Sequence, residues 1–285
     1  MRINAAANSA LPNLYSASAT PDSPKMETGN LSPFLRHDTV ELSQVVAREL
    51  PNGVIEHKAA KMYFNEEIKA SLDKVLAGKS PEVGEAVDRL IESNLFAANV
   101  DYSSEERSAL LEAGLTQAKF LADHYMQPEE ASEFLDTIHL LAAVATTREV
   151  DAETGNVSYV ELPRKPLGAP AEYVNAGDLM QRYDPEAFSK WKEAIANGGN
   201  AGGILIQFAK KLQKNPDWAK EYREDQDKVM KDLRSTRIDN RFDSVNVNTV
   251  DDFASAMRER IAQSALSNKD LILNNTLAFA RTLGI

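Results

Sequence analysis

The chain contains no cysteine, and that absence excludes disulfides, thiolate metal sites and thiol nucleophiles together. It leaves the redox environment open, because a cysteine-free chain suits either. Histidine is scarce as well: His37, His57, His124 and His139 form no H-E-x-x-H or other close ligand pair. No apolar run reaches the ~18 residues that a membrane-crossing helix needs. Asn4, Asn8, Ser9, Pro12 and Asn13 interrupt the stretch after Arg2, so the continuous apolar core of a secretory signal is missing too. Positive charge is outnumbered, 32 Lys and Arg against 43 Asp and Glu, for a net charge of −11 and a pI near 5.0. That balance argues against broad binding to nucleic acid or anionic membranes, both of which need clustered cations. G-x-S-x-G, the P-loop's G-K-[ST] and a dinucleotide-binding glycine fingerprint are absent.

What the chain does contain is amphipathic helix pattern. Phe64, Ile68, Leu72 and Val75, then Val83, Val87, Leu90 and Ile91, fall at spacings that place each set on one helix face. Ser103 with Glu106 predicts a capping box opening a helix through Leu111, Leu115, Ala118, Ala122 and Tyr125. Pro128, which has no N–H to orphan, suits the first turn of the next helix, with Leu135, Ile138, Ala142 and Ala145 facing inward. Around residues 146–162 the period changes. Val150, and then Val157, Tyr159 and Leu162, flank a polar connection whose Gly155 accepts positive φ, and this predicts one β-hairpin. Pro163, Pro166, Gly168 and Pro170 make an irregular stretch to about residue 175, and helical spacing then resumes to the C-terminus.

The expected fold is therefore mainly α: a multi-helix bundle or orthogonal array of roughly nine helices, one hairpin and a disordered N-terminal tail. The expected organisation is a flexible tail over residues 1–37, a helical subdomain over 38–150, a hairpin and Pro-rich loop over 151–175, and a second helical subdomain over 176–285. This scheme fits helical parts packed as one domain as well as two. The tail is assigned because Pro12, Pro21, Pro24 and Pro33 break any ladder and its small, polar residues bury too little to offset chain entropy.

One internal echo stands out. Residues 37–45 (HDTVELSQV) and 242–250 (FDSVNVNTV) share the form D-[ST]-V-x-[LV]-[SN]-x-V, each before a helix pattern, with Ser43 or Asn248 as the expected N-cap. The Asp38–Ser43 stretch resembles a D-x-V-x-[LI]-S stretch of bacterial flagellar-export substrates and the flagellar anti-sigma factor, in which a disordered leader precedes short helices. The MRIN opening is similar too. The resemblance covers about six of the 285 residues, carries no functional residue over, and implies an exported or appendage-associated factor.

Other features point weakly to chemistry. Gly198-Gly199-Asn200-Ala201-Gly202-Gly203 leads into a helix, so it reads either as an anion cradle or as a helix stop with a tight turn. His139 sits among apolar residues as a partly buried imidazole, and His124 near a helix C-terminus. Phe188 with Trp191, and Trp218 with Tyr222, are spaced as core pairs. Lys228, Lys231, Arg234, Arg237 and Arg241 form the densest cationic run, interleaved with acids that predict a helix laced by i,i+3 and i,i+4 pairs.

The functional expectation is a non-enzymatic helical interaction or regulatory protein of bacterial type that binds a protein partner. No catalytic, cofactor-binding or metal-binding residue is assigned, and a nucleic-acid partner is disfavoured. The expected contact residues are Leu31, Phe34, Leu35, Val40 and Leu42 in and beside the tail, and Lys228, Lys231, Arg234, Arg237 and Arg241. Two alternatives stand beside it: a helical hydrolase or transferase whose site assembles only in three dimensions, and an exported effector. The expected compartment is the cytoplasm, with export by a signal-peptide-independent route as the alternative.

Overall fold

A computed structural model describes residues 66–97, 102–166, 168–170, 172–245 and 247–284. The expected tail, the first copy of the echo, His37 and His57 lie outside the described residues. Within them the chain forms ten α-helices: α1 Glu66–Leu76, α2 Pro81–Leu90, α3 Ser104–Tyr125, α4 Pro128–Thr146, α5 Ala176–Tyr183, α6 Pro185–Ala196, α7 Ala201–Lys214, α8 Pro216–Ser235, α9 Val250–Gln263 and α10 Lys269–Thr282. A π-helical turn, Ile91–Leu95, continues α2. The mainly helical reading with one hairpin holds. The helix that spacing did not separate is α5, only eight residues long, ended where Asp184 caps α6 and Pro185 begins it.

Local chemistry sets these boundaries. Prolines occupy the first turns of α2, α4, α6 and α8. The capping box at α3 forms as expected: the Glu106 N–H donates to Ser103 Oγ at 3.2 Å, and the Ser103 N–H to Glu106 Oε2 at 2.8 Å. At α9 the cap is Thr249 rather than Asn248, its hydroxyl accepting from the Asp252 N–H at 3.1 Å. The hairpin pairs β1 Glu149–Val150 antiparallel with β2 Val157–Ser158, in the register Glu149 to Ser158 and Val150 to Val157. Gly155 turns it at φ 70°.

The apolar side chains bury in two clusters. The larger draws on α1 to α4, the π turn, the end of α8, α9 and α10. Its centre is α3, which packs on α4, α2, α10 and the π turn and is buried along most of its circumference from Ala109 to Ala122. Phe120 lies 4.7 Å from Phe253 and 6.4 Å from Phe279, centroid to centroid. The smaller cluster has only Leu179, Met180, Phe208 and Tyr222 buried, with Val174, Tyr183, Phe188, Trp191, Ile204, Leu205, Leu212 and Trp218 half-buried around them. Helix α8, about 30 Å long at 1.5 Å per residue, spans both. Its Tyr222 belongs to the small cluster and its Leu233 to the large one.

After α8 a strap runs over α3 to α9. Phe242 and Val245 bury in the large cluster, Asp243 pairs with Lys119 at 3.2 Å, and Ser244 Oγ accepts from Arg260 of α9. These residues are the second copy of the sequence echo. Its apolar positions Phe242, Val245, Val247 and Val250 all pack into or against the core.

Candidate interaction surface on helix α8

The two halves of α8 spend their charges differently. In the first half three acids are engaged. Asp225 pairs with Arg182 at 2.6 Å, Glu221 accepts from the Tyr183 hydroxyl at 3.0 Å, and Glu224 lies 3.7 Å from Lys220. The Tyr222 hydroxyl donates to Asp178 at 2.9 Å, and burial together with that carboxylate pushes its pKa well up. From Lys228 onward the pattern changes. Lys228, Lys231, Arg234 and Arg237 are exposed, and none has a described carboxylate within 4.0 Å. The expected lacing of this run by i,i+3 and i,i+4 pairs does not form among the described residues; the helix has one such pair, Lys220 with Glu224, in its first half.

Two of these cations line a shallow open cleft of about 420 Å³ with Asp227, Met230 and Ser235. The grouping follows from helical spacing: Asp227 and Ser235 sit four residues either side of Lys231, and Arg234 three beyond it. Asp227, Met230 and Ser235 were not singled out in the sequence, although i,i+4 spacing from Lys231 picks out the first and last. Proximity to the helix C-terminus favours cations here even without a partner.

Arg241 stands apart from the other four. It lies on the strap, where its Nε donates to Glu112 Oε2 at 2.6 Å, its Nη2 to Glu112 Oε1 at 3.0 Å, and its backbone N–H to Oε2 at 2.9 Å. Glu112 is only 4% exposed, and this forked pairing satisfies its carboxylate inside the α3 face. The Glu112 hydrogen bond holds Arg241 above the ordinary arginine pKa, against the opposing effect of burial. Leu31, Phe34, Leu35, Val40 and Leu42 lie outside the described residues.

Other candidates resolve into structural roles. The glycine run ends α6 with Gly198 at φ 68°, and Asn200 then caps α7 by accepting the Gly203 N–H at 2.8 Å. A Cβ on Gly203 would meet Asn200 Nδ2 at 2.5 Å, so the glycine is what lets the cap close. His124 is exposed, stacked 4.3 Å from the Phe120 ring with Nδ1 2.9 Å from the Phe120 carbonyl oxygen, while His139 is half-buried. Neither histidine lines the α8 cleft or the second surface cleft, which is formed by Glu85, Arg89, Ala278, Arg281 and Thr282. Among the described residues no group of three or more metal-ligating side chains converges, and no helix is long and apolar enough to cross a membrane.

No protein-family model matches the chain, and comparison with curated proteins and with solved structures gives no match.

Proposed function

We propose that this chain is a non-enzymatic, mainly helical interaction protein of regulatory type, and that the second half of α8 with its exit loop receives an acidic protein partner. The observation that carries the reading is the run of Lys228, Lys231, Arg234 and Arg237. They are consecutive cations left exposed and unpaired with described carboxylates, on a chain whose net charge is −11. Charge complementarity of this kind sets orientation and encounter rate more than raw affinity. A compact acidic segment suits the row better than a nucleic acid does. A long polyanion would also meet Asp227, Asp232 and Asp239, which are interleaved with the four cations in sequence, on a chain whose net charge is −11.

The test compares crosslinked capture from native lysate by the full chain, by Lys231→Glu/Arg234→Glu, and by a control reversal at the exposed Lys69. A partner recovered by the full chain and the control but lost from the double reversal is the expected result. Equal recovery by all three chains would remove α8 from the reading.

A further inference from the structure

Helix α8 is acidic at one end and basic at the other along a single face. Tyr222, Gln226, Val229 and Leu233 turn inward: Tyr222 and Leu233 are buried, Val229 packs against the large cluster, and the Gln226 Oε1 atom is buried. At about 100° per residue, the row Asp217, Glu221, Glu224, Lys228, Lys231 and Ser235 stands on the opposite side, and all six are exposed. Its order is three acids, two lysines and a hydroxyl. Reversed about residue 226, the row exchanges Glu221 with Lys231 and Glu224 with Lys228, so it is complementary in charge to its own antiparallel copy. The groups are available for that pairing. Glu221 uses Oε2 for the Tyr183 hydroxyl, which leaves Oε1 to a second donor, and Glu224 has a loose 3.7 Å contact with Lys220. Lys228 and Lys231 have no described carboxylate within 4.0 Å.

We infer that α8 pairs antiparallel with α8 of a second copy of the chain, across a two-fold axis level with residue 226. Glu221 of each copy faces Lys231 of the other and Glu224 faces Lys228, so the symmetry doubles each ion pair. The inference rests on the reading of the α8 cations as a surface for an acidic protein, and it names that protein as a second copy. A purely acidic helix would satisfy the lysines and set like charge against Glu221 and Glu224. The second copy supplies both signs in the matching order. A contact confined to one helix of about 30 Å falls at the small end of specific interfaces, below about 1,200 Å² in total, and exposed pairs add little each. The dimer is therefore weak and salt-sensitive. Two copies of net charge −11 repel at long range, but physiological salt screens that repulsion beyond about 8 Å while pairs in contact keep most of their attraction.

The test uses the purified full chain, concentrated at physiological salt and treated with a carbodiimide, which joins a carboxylate to a contacting amine as an amide with loss of water. A product of dimer mass carrying a Glu221–Lys231 link is the expected result. Ten residues apart on one helix, these two stand about 15 Å from each other, so that link forms only between copies. In sedimentation, Lys228→Glu/Lys231→Glu and Glu221→Lys/Glu224→Lys should each lower the dimer association constant by about tenfold or more. An equimolar mixture of the two variants should restore it, because every pair between them is again opposite in sign. Mixing would not mend a structural fault in either variant. The inference is overturned by a chain that stays monomeric, by dimer-mass links that avoid α8, or by association indifferent to these reversals. Charge-dependent capture of a foreign partner without the 221–231 link overturns the dimer and keeps the partner reading. The link without any foreign capture keeps the dimer and removes the foreign partner.

Discussion

Among the described residues the large cluster buries 34 apolar residues around α3, whereas the small one buries four and leaves its two tryptophans half-buried. The difference is one of coverage rather than of residue type. Helix α6 carries Phe188, Trp191 and Ile195 on one face yet has no fully buried residue, its main neighbours among the described residues being α5 and α7. In the large cluster α3 packs on α2, α4, α10 and the π turn, and α4 and α10 each meet several elements in turn. A chain can supply equally apolar faces in both regions and still obtain unequal stability, since burial depends on what packs opposite. The small cluster leans on α8, which carries Tyr222 and Trp218 into it and continues through Leu233 into the large core.

That comparison can be broken most sharply at its strong end. Phe253→Ala removes a 1%-exposed ring packed against Phe120 and Phe279, and should cost about 3–5 kcal/mol in urea unfolding, with loss of protection across α3, α9 and α10. A smaller effect, about 2 kcal/mol, is expected from Trp218→Ala, which removes a ring stacked 5.0 Å from Tyr183. Hydrogen exchange should then accelerate in α5 to α7 while α3 and α10 keep their protection. Acceleration spread equally over both clusters would mean that they unfold as one unit.

The smallest effect concerns the caps, and it treats the two regions alike. The Ser103 N–H, with the hydroxyls of Ser267 and Ser103, holds Glu106 below the ordinary 4.5. Lys79 and the Gln127 N–H do the same for Glu130. In the small cluster Lys211 holds Asp184 below 3.8. A carboxyl whose folded pKa is depressed contributes stability that is fully present above its unfolded pKa and is lost as pH falls through the folded one. The unfolding midpoint should therefore stay level from about pH 7 to 5 and fall below about pH 4.5. Glu106→Gln should flatten that fall, and Ser103→Ala should cost about 1 kcal/mol at neutral pH.

Local signals read well where the chemistry is local. The Ser103–Glu106 box, Pro128 at the start of α4, Gly155 in the hairpin turn and Gly198 after α6 depend on residues within one turn of each other. The cap of α9 falls at Thr249, one residue after the expected Asn248, because both residues are competent and only the backbone path chooses. The α8 row was visible as a run of cations. Its lack of described carboxylate partners was not, because two acids of the same sequence window are taken elsewhere, Asp225 by Arg182 of α5 and Asp243 by Lys119 of α3. Arg241 belonged to the same run by spacing and was drawn away by Glu112, 129 residues earlier in the chain.

The sequence alone determined that the chain folds mainly into helices, where most of them begin, and that thiol chemistry is excluded. These follow from spacing, capping and composition, which act over a few residues. The tertiary structure decided which helices share a core, that Glu112 would be buried with Arg241 as its partner, and that Lys228, Lys231 and Arg234 would find no carboxylate among the described residues. Each of those depends on groups far apart in sequence meeting in space, and no local pattern encodes such a meeting.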